Sequence, residues 1–160
     1  ERFKHTIVWI GRFEEEKDPM LALRTLKGVR ELGLDAGLVM LGTGALEPLL
    51  KAKVKTDGLE KYIEFPGWQD PVLFLKCADV VLCTSRAESF GASIVEALAA
   101  GVPVVSPDVG VAREAGAIIA SRAELAQKIV FALQEKTAGR LNLPLLNEED
   151  WADAWQQSLQ

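Results

Sequence analysis

Short apolar runs and longer mixed stretches alternate along the chain, and glycine or proline closes most of the runs. Residues 6–10 are β-branched and aromatic and stop at Gly11, the pattern of a strand buried on both faces. Asp18 followed by Pro19 reads as a helix cap with proline at the first helical position. Leu21, Leu23, Leu26, Val29 and Leu32 then fall near helical spacing before Gly33 ends the segment. Residues 36–41 read as a second strand, broken by Gly42-Thr43-Gly44, and a helix from residue 45 to about 56 turns Leu46, Leu49, Leu50 and Val54 inward. A third strand at 62–65 ends at Pro66-Gly67, and Asp70-Pro71 restarts a helix through about Cys77. A fourth strand follows at 80–83. A helix opening with Ser89 and Gly91 leads to Gly101, and residues 103–105 form a fifth strand.

Beyond Glu114 the pattern weakens. Residues 117–120 are a candidate sixth strand, and Ser121-Arg122-Ala123-Glu124 is a capping-box sequence opening a helix to about Lys136. Residues 137–144 read as a loop. Residues 147–160 begin with an asparagine cap and acidic residues and place Trp151, Trp155 and Leu159 at i, i+4 and i+8, an apolar stripe that needs cover.

Strands that alternate strictly with helices over short connections imply a parallel sheet, because parallel neighbours need right-handed crossovers. The expected fold is therefore a Rossmann-like three-layer α/β/α domain with a parallel sheet of about six strands. Ligands of such sheets sit outside the carboxyl ends of the strands. Loops 11–17, 42–44, 66–69, 84–88 and 106–114 each leave one of those ends and should gather on one rim.

Composition narrows what that rim can hold. The chain has 160 residues, 49% apolar and 26% charged, enough for one domain with its own core. A net charge of -5 argues against nucleic acid or an anionic membrane as a partner through bulk electrostatics, so any anion must be held locally. The two cysteines, Cys77 and Cys83, match no metal spacing and read as small core residues in a reducing compartment. His5 is the single histidine, which leaves a histidine metal site or triad little to draw on. No apolar run reaches the ~18 residues that a bilayer span needs. The chain enters its first strand almost at once and without an initiator methionine, so a piece of a longer polypeptide is expected.

Arg12 and Lys17 place two cations in the loop after the first strand. Together they suit a diphosphate, Arg by bidentate hydrogen bonds and Lys as a point charge. The alternative is that they are solvated or paired with Glu14, Glu15 and Glu16 beside them. Gly42-Thr43-Gly44 lacks the third glycine of a dinucleotide fingerprint, since Glu47 stands there, and reads as a tight strand-to-helix turn. Trp68 could lie against a base or pack on its own turn. Around residues 86–101, a strand, a turn and a helix start offer free backbone N–H groups to an anion. Glu88 and Glu96 flank that helix start with seven residues between them. Eight positions along a continuous helix span about 12 Å, far for a glycosidase-style acid/base pair. Two carboxylates accepting from hydroxyls of one elongated ligand fit better.

With these pieces in place, the chain resembles the C-terminal, donor-binding half of GT-B retaining glycosyltransferases of the large group 1 family, which includes sucrose and glycogen synthases and bacterial mannosyl transferases. The resemblance covers nearly the whole chain. It rests on Gly11-Arg12-Phe13 with Lys17, Leu41-Gly42-Thr43-Gly44 and Phe65-Pro66-Gly67. It continues through Glu88-Ser89-Phe90-Gly91, Glu96-Ala97-Leu98-Ala99-Ala100-Gly101, and Pro103-Val104-Val105 with Gly110 and Glu114.

The resemblance implies a nucleoside-diphosphate sugar as donor, held by Gly11, Arg12, Lys17, Gly42, Glu88, Phe90, Gly91, Ala92, Ser93 and Glu96. Arg12, Lys17 and Glu88 would carry the catalytic roles: the cations neutralise the leaving diphosphate, and Glu88 binds hydroxyls of the transferred sugar. Glu96 would take the ribose hydroxyls, and the N–H groups of residues 90–93 would hold phosphate. No metal and no cofactor is expected. The same resemblance implies that residues 1–160 are one nucleotide-sugar-binding domain of a two-domain enzyme whose missing N-terminal domain binds the acceptor. Residues 147–160 would be the helix that crosses back to it, and the isolated chain would turn nothing over. The expected place is the cytoplasm, with the inner face of a membrane open to the full-length enzyme. Val111 stands where the family often has a second glycine, and the loop usually found after the Glu114 segment is largely missing.

Overall fold

The computed structural model describes residues 3–143. Six strands, His5–Ile10 (β1), Ala36–Leu41 (β2), Ile63–Gly67 (β3), Val80–Leu82 (β4), Val104–Ser106 (β5) and Ile118–Ile119 (β6), alternate with helices. The helices are Pro19–Glu31 (α1), Glu47–Thr56 (α2), Pro71–Leu75 (α3), Ala92–Ala99 (α4), Ala112–Ala115 (α5) and Leu125–Gln134 (α6). All pairings are parallel, in the order β3-β2-β1-β4-β5-β6.

Alternation along each strand builds the three layers. Ile7 and Trp9 of β1, Leu38 and Met40 of β2, and Val80 and Leu82 of β4 join one apolar cluster, with Leu26 of α1, Leu50 of α2 and Ile129 of α6. Val8 and Val81 face the other way, with Leu75 of α3, Ile94 and Leu98 of α4, and Ala112 of α5. β1 from Ile7 onward and the whole of β4 are apolar at every position because both faces are covered.

The helix starts follow the chain's local chemistry. Asp18 caps α1, its side chain accepting from Leu21 N–H, and Asp70 caps α3 by accepting from Val72 N–H. Asp18 does so at φ +41, a left-handed conformation uncommon outside glycine. Gly33, at φ +90, follows the end of α1 as expected.

Several apolar positions differ from expectation. Leu49 is 54% exposed, because the inward stripe of α2 runs along Leu46, Leu50 and Val54 at intervals of four, and Leu49 lies a third of a turn off it. Leu32 is 51% exposed, since α1 ends at Glu31 and Leu32 falls on its cap. Cys83 is buried in the sheet, but Cys77 is exposed: α3 stops at Leu75, and Cys77 belongs to the following turn. The helix expected from Ser89 and Gly91 begins at Ala92, after the chain passes through Gly91 at φ +95. α6 spans Leu125–Gln134, shorter than expected, with Ser121 and Glu124 bonded to each other just before it. The stripe of Trp151, Trp155 and Leu159 lies outside the described residues.

Candidate functional site

Parallel pairing puts all the strand carboxyl ends on one rim, and the loops there are tied to one another. Phe13 N–H donates to Thr43 O at 2.9 Å, Gly42 N–H to Gly67 O at 2.9 Å, Arg86 N–H to Glu16 O at 2.8 Å, and Val111 N–H to Phe90 O at 2.9 Å. Gly42 is indispensable to this contact. A Cβ there would sit 1.9 Å from Gly11 O, and the residue holds φ +139.

The strand order reverses direction at β1, whose neighbours are β2 and β4. A crevice between the loops of the two strands that diverge at such a point is where open α/β sheets bind ligands. Here it is a cleft of about 990 Å³, lined by Gly11, Arg12 and Lys17 from the β1 loop, Glu88 from the β4 loop, and Ala92, Ser93 and Glu96 from α4. Trp68, Pro71, Val72 and Leu75 form an apolar wall from the β3 loop and α3.

Lys17 and Glu88, 71 positions apart in the chain, meet at 2.6 Å between Nζ and Oε1, with side chains only 20% and 12% exposed. Ser85 Oγ donates to the same Oε1 at 2.6 Å. Lys17 is also fixed through its backbone. The buried Trp9 indole N–H donates to Thr84 Oγ1 at 2.8 Å, and the Thr84 hydroxyl donates to Lys17 O at 2.7 Å. Of the two pairing alternatives, Lys17 bypasses the glutamates beside it. Arg12 does not: it pairs with Glu16, and both side chains are more than half exposed.

Glu96 is exposed on the cleft side of α4 rather than buried. Glu88 and Glu96 do not share a helix, because α4 starts four residues after Glu88, yet both line the cleft. The N–H groups of Ala92 and Ser93 belong to the first turn of α4, which has no intrahelical partner for them. Three expected residues lie off the cleft wall: Gly42 behind Gly11, Gly91 as the α4 cap, and Phe90, whose carbonyl accepts from Val111. Close backbone approach in the β5 loop falls to Gly110. At φ +53, a Cβ there would come within 2.9 Å of Glu88 Cβ and 2.3 Å of Phe90 O.

Sequence reasoning missed Ser85, Asp70 and Lys76, which bond to Glu88 or line the cleft. A serine three residues before a glutamate carries no signal of its own. Trp68 is 72% exposed over the cleft instead of packed on its turn. The lining carries three cations, Arg12, Lys17 and Lys76, and three carboxylates, Asp70, Glu88 and Glu96. That lining suits a ligand carrying both phosphates and hydroxyls. Among the described residues, no three His, Cys, Asp or Glu side chains form a metal-binding group, and no helix is long and apolar enough to cross a membrane.

The chain is similar to known proteins in sequence and in structure. Residues 4–135 match the family described as Glycosyl transferases group 1. The chain is 31% identical over 160 residues to the D-inositol 3-phosphate glycosyltransferase of Saccharomonospora viridis, covering 92% of this chain and 33% of that protein. Among solved structures, it is similar to the C-terminal domain of a glycosyl transferase group 1 family protein, LpcC, from Francisella tularensis, with a TM-score of 0.67 and 24% identity over 82% of this chain and 76% of that one. It is also similar to the pneumococcal O-GlcNAc transferase GtfA in complex with UDP and GlcNAc, with a TM-score of 0.77 and 20% identity over 98% of this chain and 35% of that one. At these identities the structures speak for the fold alone. The chain spans about a third of the length of the curated relatives it matches.

Proposed function

The chain belongs to the group 1 glycosyl transferases, and from that premise we propose that it is the donor-binding half of a retaining, nucleotide-sugar-dependent transferase. The observation that carries the reading is the cleft at the β1–β4 divergence, where Lys17, Glu88 and the first turn of α4 converge from separate segments. Its volume, about 990 Å³, stands at the top of the ~300–1,000 Å³ range of ligand pockets and suits an extended donor.

In this reading the donor diphosphate lies against Lys17, Arg12 and the N–H groups of Ala92 and Ser93. Charge grows on that diphosphate as the bond from the anomeric carbon to its terminal phosphate oxygen breaks. Fixed cations and helix dipoles aimed at that oxygen lower the barrier without a metal ion. The acceptor oxygen then bonds to the anomeric carbon on the face the diphosphate left, its proton passes to the departing phosphate, and nucleoside diphosphate is released. Both contacts to Glu88 fall on Oε1, which leaves its second oxygen to accept from hydroxyls of the transferred sugar. Glu96 accepts from the ribose hydroxyls, and Trp68 with Val72 offers the base an apolar wall.

The remaining two thirds of the relatives' length leaves room for an acceptor-binding domain, so the 160-residue chain alone should bind donor nucleotide and transfer no sugar. Calorimetric titration of this chain with UDP, GDP and ADP tests the reading. Saturable binding of at least one is expected. A folded sample that binds none would leave a non-catalytic scaffold in its place.

A further inference from the structure

We propose that Arg122, between β6 and α6, is a positioning residue that holds the Lys17–Glu88 pair together. The consequence for binding rests on the donor-site reading; the consequence at Lys17 rests on geometry alone. Arg122 Nη1 donates to Thr84 O at 2.7 Å and to Ser85 O at 3.3 Å, while Nη2 donates to and forms an ion pair with Asp18 Oδ2. Ser85 carries the hydroxyl that bonds Glu88, and Asp18 directly follows Lys17 in the chain. One guanidinium therefore grips the backbone behind one member of the pair and the residue next to the other.

Its grip on Asp18 reaches across 104 positions of sequence. Asp18 is the place where such a grip matters. It turns the chain from the β1 loop into α1 at φ +41, its side chain is 8% exposed, and its Oδ1 accepts from Leu21 N–H. A left-handed aspartate persists only when its surroundings over-determine it. The flat fork of arginine spreads its donors over two nitrogens and so spans a carboxylate and two carbonyls at once; lysine must direct its three donors from a single nitrogen on a flexible stem. Arg86 Nη2 also reaches Asp18 Oδ2, at 3.4 Å, but its side chain is 66% exposed and makes no bond to the β4-loop carbonyls. Without Arg122 the two loops keep the Thr84 bridge and the Arg86–Glu16 backbone bond, and Lys17 loses the anchor beside it.

Amine acylation of the 160-residue chain, read residue by residue by mass spectrometry well below the melting midpoint, tests this. The exposed Lys55 and Lys61 serve as references. Arg122→Gln should raise the Lys17 rate about fivefold or more with the references unchanged, and weaken nucleoside-diphosphate binding about tenfold, the scale of one lost charge-assisted contact. Arg122→Lys should fall between, and decides the matter if Arg122→Gln does not fold. A Lys17 rate equal to that of the unaltered chain, or one that rises in step with the references, overturns the proposal. Failure of the donor-site reading looks different: UDP, GDP and ADP all leave Lys17 acylation unchanged in the unaltered chain, while Arg122→Gln still accelerates it.

Discussion

Lys17 Nζ lies 2.6 Å from Glu88 Oε1, and each residue comes from the loop that leaves one of two adjacent parallel strands. The pair joins the loops at the point where the sheet diverges. A ligand phosphate entering there would meet an ammonium already oriented by a carboxylate.

Replacing Lys17 with Met keeps most of the side-chain volume and removes the charge. Glu88, 12% exposed, then keeps Ser85 as a partner but loses its cation. We expect a loss of about 1.5–3 kcal/mol in stability, the range for a hydrogen bond to a charged group. Nucleoside-diphosphate affinity should fall at least about tenfold. Thermal melting and calorimetry on the same preparation measure both.

Arg12 separates binding from stability. Its ion pair with Glu16 is solvent-exposed, so Arg12→Ala should change stability by no more than about 0.5 kcal/mol. Affinity for a diphosphate should nonetheless drop, and affinity for the matching monophosphate should drop less. Equal losses for the two ligands would remove Arg12 from the phosphate site.

Much of this was legible in the chain because it is local. Asp18-Pro19 announces α1, Gly11 closes β1, and the apolar runs 6–10, 36–41 and 80–83 mark central strands. Strand order was not legible, since the pairing of β1 with β4 skips two strands. Leu49 misled because α2 presents more leucines than its buried stripe can take, and Leu32 because α1 stops one residue before it. Arg122 gave no signal at all: its partners Asp18 and Thr84 lie 104 and 38 positions away. Lys17 and Glu88 were each visible as candidates, but only the fold decides that they pair with each other and not with nearer charges.

The glycine turn after β2 is a packing device and should behave as one. Gly42→Ala forces a Cβ to 1.9 Å from a backbone oxygen, with a cost of about 2–5 kcal/mol. Gly58→Ala also places alanine at positive φ but meets nothing within 4 Å, and should cost about 1–2 kcal/mol. Urea denaturation of the two variants compares them directly.

Acid should loosen the start of α6. Hydrogen bonds from the Ser121 hydroxyl and backbone N–H hold the Glu124 carboxyl below its ordinary value. The fold therefore favours the charged form. The stabilisation is complete above the unfolded carboxyl value of about 4.3 and is lost as pH falls through the lower folded value. Glu124→Gln should remove this part of the pH dependence and leave the neutral-pH site unchanged, which melting curves between pH 3 and 7 would reveal.

If the β1–β4 cleft takes a donor diphosphate, a crystal structure of this chain with the nucleoside diphosphate it binds will reveal the contacts. The phosphates should lie within hydrogen-bonding distance of Lys17 Nζ and of the Ala92 and Ser93 N–H groups, with the ribose beside Glu96. Phosphates bound anywhere else on the surface, with the Lys17–Glu88 cleft left empty, would contradict it.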